Sequence, residues 1–179
     1  MGLAKRKYQT PPRSGMEVYM MLPEGTLAEL INDTIYMSPT PDYYHQSVSL
    51  KLAREISLFA ESTNLGECVT APMDVFFDEK NALQPDIIFI SKANLGIINK
   101  GKIKGAPDLL IEILSPGNKK HDTEVKKAIY EKFGVKEYFI VDPQSSEVIT
   151  WYFNKNKFVK QQSVKGKIKS KILKKTFSF

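Results

Sequence analysis

The sequence is short of cysteine and histidine, with one Cys (Cys68) and two His (His45 and His121) in 179 residues. A single thiol excludes an internal disulfide framework, and three scattered residues offer no Cys/His spacing for a structural zinc site. No stretch approaches the ~18 consecutive apolar residues of a membrane span. The basic run MGLAKRKYQTPPRSG is followed by no apolar signal region. The expectation is a soluble, cytoplasmic protein in a reducing compartment, without a membrane partner or a small-molecule cofactor. Repeats, low-complexity tracts and linkers long enough to separate domains are also missing. At 42% hydrophobic residues, the chain suits one domain burying roughly 70% of its unfolded surface. Residues 1–15, with Pro11, Pro12 and Gly15, read as a flexible arm, and 16–179 as the domain.

Acidic residues are absent from Val148 onward, where nine lysines occur. Those nine removed from 26 basic residues leave 17 against 20 acids, so residues 1–147 carry −3 while the whole chain carries +6. Lys165, Lys167, Lys169 and Lys171 alternate with Gly166, Ile168, Ser170 and Ile172. On one strand the four ammoniums would line one face and follow a phosphate backbone. An edge strand guarded by lysine against aggregation gives the same pattern. Lys100, Lys102 and Lys104 form a second cationic segment within Gly96–Gly105.

The order of elements follows from periodicity and breakers. Leu27–Ile31 and Thr34–Met37, separated by Asn32 and Asp33, read as a hairpin with a two-residue turn. Ser38, Pro39 and Pro41 stop it, and Asp42 caps a helix running to about Glu61. Strands are predicted near Glu67–Phe77, Gln84–Ser91 and Asp108–Ser115, the last broken by Pro116 and Gly117. A second helix spans about Asp122–Phe133, with Gly134 at its C-terminal cap. Strands follow at Glu137–Val141, Val148–Asn154, Phe158–Gln162 and Lys167–Phe177. The pattern is a mixed sheet flanked by helices.

Charge inside apolar surroundings marks the candidate site. Asp86 stands in QPDIIFI and Glu112 in PDLLIEILSPG, where a buried charge needs a partner or a metal. Asp108 competes with Asp86, yet on a regular strand it would stand about 13 Å from Glu112 at ~3.3 Å per residue. Two oxygens sharing one Mg²⁺ at about 2.1 Å lie within roughly 4 Å of each other. Asp86, on a different strand, can pair beside Glu112, and Asp108 more simply starts its strand. At ~100° per residue, His45 and Glu55 fall on the stripe of the first helix that holds Val48, Leu52, Ile56 and Phe59. Glu55 can equally pair with Arg54, and His45 can serve as a hydrogen-bonding residue at the helix start. In the second helix Lys126 borders the Val125, Ile129 and Phe133 stripe while Lys127 faces water. A snorkelling stem is the alternative for Lys126, and capping the helix the simpler role for Asp122.

The run GAPDLLIEILSPG, then D-x-x-x-K-x-x-x-Y as Asp122 to Tyr130, then GVKEYFIVDP, with QPDIIFI upstream, resembles the Uma-two family of the PD-(D/E)XK restriction-endonuclease-like superfamily. The resemblance covers roughly residues 20–155. It implies a restriction-endonuclease-like mixed β-sheet flanked by α-helices, here with additional N- and C-terminal strands. It also implies a Mg²⁺-dependent endonuclease acting on DNA, with Mn²⁺ able to substitute. Asp86 matches the family aspartate and Glu112 the acidic residue of the D/E-x-K element. Leu114 stands where that element has lysine, and the position that fits is Lys126 on the following helix. Glu55 fits a first-helix acidic residue near the site.

The mechanism expected has Asp86, Glu112 and the Ile113 carbonyl holding Mg²⁺. Lys126 acts electrostatically, because adjacent carboxylates oppose its deprotonation. The lysines at 100, 102, 104, 165, 167, 169 and 171 would contact phosphates without reading bases, and a homodimer would suit double-strand cleavage. Leu114 leaves open a binding module without chemistry on the same fold. A general acid/base pair acting on a sugar is a third reading, which the cationic C-terminus opposes.

Overall fold

The computed structural model describes residues 11–115 and 121–179. Ser14 caps a short helix, α1 (Gly15–Tyr19), its hydroxyl accepting from the Glu17 N–H. This helix abuts the turn between β1 (Ala28–Ile31) and β2 (Thr34–Met37). Asn32 and Asp33 have φ of 49° and 65°, the left-handed pair whose twist suits a two-residue hairpin. The Gly15 N–H donates to the Asp33 carboxylate at 2.7 Å, and a Cβ there would lie 2.4 Å from the Asp33 carbonyl oxygen. Asp42 caps α2 (Tyr43–Thr63) by accepting from the His45 N–H, and Asn64 ends it in the left-handed conformation.

Beyond α2 run β3 (Gly66–Thr70), β4 (Val75–Asp78), β5 (Asn81–Leu83), β6 (Ile87–Ser91), a 3₁₀ turn (Lys92–Ile97), β7 (Ile98–Asn99), β8 (Lys102–Lys104) and β9 (Leu109–Ile113). A π-helical turn (His121–Lys126) leads into α3 (Lys127–Lys132), followed by β10 (Glu137–Val141), β11 (Glu147–Asn154), β12 (Lys157–Lys160), β13 (Val164–Lys165), β14 (Lys167–Ser170) and β15 (Lys175–Ser178).

The central sheet has the order β12-β11-β10-β9-β6-β3, with β13 also on β11; β9 and β10 are parallel and joined through the helical segment. A second sheet runs β2-β1-β5-β4-β8-β7, and β14-β15 is a separate hairpin. Strands β9 and β10 are buried on both faces, which is why both read as almost unbroken apolar runs. One face, through Ile87, Phe89, Leu109, Ile111 and Phe139, packs on α2 and on Ile168 and Phe177 of the C-terminal hairpin. The other, through Ile88, Leu110, Leu114, Tyr138 and Ile140, packs on α3 and the second sheet. Glu112, two residues from both Leu110 and Leu114, therefore faces the second sheet.

Several expectations change. The strand predicted over 67–77 is two strands in two sheets, separated at Ala71–Pro72, a cis peptide bond. The strand predicted from Gln84 starts at Ile87, after Pro85, which has no N–H for a ladder. Of the expected arm, 1–10 lie outside the described residues, as do Pro116 and Gly117, while Gly15 already opens α1. The single row of lysines is broken. Gly166 at φ 65° separates β13, which pairs with β11, from β14, which pairs with β15. Lys165 thus belongs to the central sheet, Lys167 and Lys169 to the exposed face of the hairpin, and Lys171 to the turn beyond it. Lys100, Lys102 and Lys104 sit on and beside the β7–β8 hairpin rather than on an irregular loop.

Candidate active site

Antiparallel pairing of β6 with β9 sets Ile87 opposite Ile111, so the next rung sets Asp86 opposite Glu112. That rung is closed by a side chain: Asp86 Oδ2 accepts from the Ile113 N–H at 2.7 Å. Asp86 Oδ1 accepts from His45 Nε2 at 2.9 Å, and the other ring nitrogen of His45 lies 3.3 Å from the Ser115 hydroxyl. Burial alone would lower the His45 pKa, but the bond to Asp86 and its charge carry it above the ordinary imidazole value. His45 stands in the first turn of α2, where the Asp42 cap fixes its backbone.

Glu112 is 3% exposed. Its Oε1 accepts from the Tyr130 hydroxyl at 2.6 Å and its Oε2 from the Lys126 ammonium at 3.2 Å. Lys126, 7% exposed, also meets Glu29 at 2.9 Å and Asp122 at 3.5 Å. Asp122, Lys126 and Tyr130 are spaced by four, so the helical segment presents them on one face. The backbone N–H of Gln84 donates to Glu29 and holds it in place. Asp86, Glu112, Asp122, Lys126, Glu29 and His45 line one pocket of about 80 Å³, whose wall also includes Ile113 and Ser115.

The electrostatics follow from the count. Four carboxyl groups face one ammonium and one imidazole, more acidic groups than basic ones. Burial lifts the Glu112 carboxyl well above its usual range; Lys126 pulls it down, and Asp122, Asp86 and Glu29 push it further up. Asp122 is raised to about 6 by burial, against the pull of Lys126. For Lys126 burial favours the neutral amine, but Glu112, Glu29 and Asp122 outweigh it and the ammonium is held well above its ordinary value. Tyr130 is likewise raised by burial and by Glu112, and it remains a hydrogen-bond donor.

Asp86, Glu112, Ile113 and Lys126 thus converge, and Glu55 does not join them. Glu55 sits at the edge of the buried stripe with 43% of its side chain exposed, 3.4 Å from Arg54. Asp108 is spent elsewhere, accepting from the Ser91 N–H, Asn94 Nδ2 and Lys136 Nζ. Burial would raise its pKa, and those donors bring it below the usual carboxylate value. Leu114 is buried in the apolar cluster on the face where Glu112 points, and the ammonium beside Glu112 is that of Lys126. Sequence reasoning missed Glu29, Tyr130 and the inward role of Asp122. Glu29 carried the same signal as Glu112, a lone charge between Ala28, Leu30 and Ile31. Among the described residues no three carboxylates, imidazoles or thiols stand in ligand geometry about one point. Two carboxylates and a surplus of hard oxygen donors are nevertheless the chemistry that suits Mg²⁺, which keeps several of its waters.

A parallel β9–β10 pair with antiparallel neighbours, helices on both faces and an acidic pocket at the strand ends is the restriction-endonuclease-like fold. A solved structure from Anabaena variabilis, described as "a putative nuclease belonging to DUF820", shares it at a TM-score of 0.69 and 20% identity, covering 86% of this chain and 83% of that one. The chain belongs to the Uma2 family, described as "Putative restriction endonuclease", whose model matches residues 16–177. No curated protein matches it. Among the described residues, no helix is long and apolar enough to cross a membrane.

Proposed function

We propose that this chain is a metal-dependent endonuclease that hydrolyses DNA phosphodiester bonds in the carboxylate pocket. The supporting observation is the meeting of Asp86 and Glu112 on one rung with the Lys126 ammonium 3.2 Å from Glu112. Asp86, Glu112 and the Ile113 carbonyl would hold Mg²⁺, or Mn²⁺ in its place. Bound there, the ion supplies Lewis-acid stabilisation of phosphate charge and lowers the pKa of a water.

The chain's own residues do the rest. Lys126 stays charged at neutral pH, so it acts on developing negative charge at the phosphate and not as a proton acceptor. Glu29 and Asp122 hold that ammonium in place, Tyr130 holds Glu112, and His45 with the Ile113 N–H holds Asp86. Glu55, outside the pocket, takes no catalytic role. Lys100, Lys102 and Lys104 lie on the β7–β8 side, and Lys102 lines a cavity adjoining the pocket. The C-terminal hairpin packs on Phe59, 14 residues along α2 from His45 and so about 21 Å away at ~1.5 Å per residue. Lys167 and Lys169, with Lys165 and Lys171 beside them, therefore serve a more distant region of a DNA footprint, and cutting both strands calls for a second copy.

Supercoiled plasmid incubated with the protein tests the reading. Nicking in Mg²⁺ or Mn²⁺, lost in EDTA and in Asp86→Ala and Glu112→Ala, is the expected result. Nicking that persists in EDTA removes the metal mechanism. Salt-sensitive DNA binding without cleavage in any metal leaves only a binding module.

A further inference from the structure

Beside the carboxylate pocket lies a larger cavity of about 460 Å³. Gln84 lines both, and the chain crosses from one to the other between Thr26 and Leu27 and between Ala71 and Pro72. The two spaces therefore adjoin along these two stretches of chain.

Met20, Leu22, Pro23 and Met73 give the larger cavity apolar walls, which suit the faces of a flat ring. Its polar end is built around Asp74. The Tyr19 hydroxyl and Gln84 Nε2 both donate to Asp74 Oδ1, at 2.7 and 2.8 Å. The second amide hydrogen of Gln84 goes to the Thr26 carbonyl oxygen at 3.1 Å. Both donors of Gln84 are thus used, and what these side chains still offer a ligand is acceptors, Asp74 Oδ2 and Gln84 Oε1. The ligand must bring adjacent N–H donors. Among the DNA bases only guanine has two on its Watson–Crick edge, N1–H and N2–H₂; cytosine and adenine set an acceptor beside their amino group, and thymine flanks its N–H with carbonyls. Lys102 also lines the cavity and supplies a cation for the nucleotide's phosphate.

We propose that this cavity takes an unpaired guanine from the strand whose phosphate enters the carboxylate pocket, so that the enzyme prefers single-stranded or locally opened DNA carrying guanine near the cut. The inference rests on the nuclease reading. The edge that pairs in a duplex must be free to reach Asp74, which is why the base is read unpaired.

The test is fluorescence anisotropy in EDTA, using a labelled oligothymidylate with one central guanine, hypoxanthine, cytosine or adenine, run beside plasmid nicking in Mg²⁺. Wild type should bind the guanine oligomer about tenfold more tightly than oligothymidylate, with hypoxanthine, which lacks the N2 amine, in between. Asp74→Asn can still accept from Tyr19 and Gln84 through its amide oxygen, so it should keep the fold and the oligothymidylate affinity while the guanine preference falls below about twofold. Met20→Ala, at a side chain already half exposed, should weaken guanine binding about threefold without changing the order of bases. Nicking by a protein with no guanine preference, or a preference that Asp74→Asn leaves intact, overturns the cavity assignment and leaves the nuclease reading standing. A preference lost in Asp74→Asn without nicking supports the cavity and overturns the nuclease. Absence of both binding and nicking overturns both.

Discussion

Glu112 and Glu137 are buried glutamates on adjacent parallel strands, 3% and 2% exposed, and they stand in opposite settings. Glu137 stands opposite Leu109 and faces α2, where its carboxylate accepts from the Ser170 hydroxyl at 2.6 Å and the Lys171 and Ile172 N–H groups at 2.6 and 3.0 Å. It pins the C-terminal hairpin to the sheet with donors from one turn, and it lines neither cavity. Glu112 faces the other way, toward an open pocket where three more carboxylates crowd one ammonium. Burial raises both pKa values; at Glu137 the hydrogen bonds from Ser170, Ile172 and Lys171 pull the other way, whereas at Glu112 Lys126 pulls down and the neighbouring carboxyl groups push further up. A buried carboxylate thus marks a site when it borders space with charge left over, and marks structure when its lone pairs are filled by the fold.

Exchanging one property at a time should pull the two roles apart. The largest effect is on activity: Glu112→Gln should lower plasmid nicking at least a thousandfold, about 4 kcal/mol of barrier, with little change in melting temperature. Glu137→Ala should do the reverse. It strands three donors and should cost about 3 kcal/mol of stability by urea unfolding, while nicking at a temperature where the variant is folded stays within a few-fold of wild type.

Next comes Asp122, whose carboxyl is raised to about 6 from an ordinary value near 4. The native state binds its proton more tightly than the unfolded chain. The stability this gives is present at low pH and is lost as pH rises through about 6. Asp122→Asn should therefore exceed wild type by about 2 kcal/mol at pH 8 and match it at pH 4. The smallest effect belongs to the cationic surface: Lys102→Ala and Lys169→Ala should each weaken DNA binding a few-fold and lower the salt slope by about one.

Much of the site was legible in the sequence because charge in an apolar run is a strong signal. Asp86, Glu112 and Lys126 each broke such a run or bordered a buried stripe. Glu29 broke one too, but its four-residue strand belongs to the second sheet, and nothing local says that this sheet folds over β9. Glu55 misled because its helical angle is right for burial while its position along α2 is not. One angle cannot separate the helix end at His45, which reaches Asp86, from a middle that packs on apolar strands. The lysine row failed for a backbone reason, since alternation promises one face only where the strand is unbroken, and Gly166 breaks it. The adjoining cavity left no sequence trace, as Tyr19, Asp74 and Gln84 come from three separate segments.

If this chain cuts DNA, the helix-borne ammonium of Lys126 must replace the lysine missing at position 114. The Mg²⁺-dependent nicking rate of Lys126→Ala against wild type, at protein concentrations that saturate the DNA, measures that replacement. The expected result is a loss of at least a hundredfold, about 2.7 kcal/mol, with unchanged DNA affinity. A nicking rate equal to wild type would contradict it.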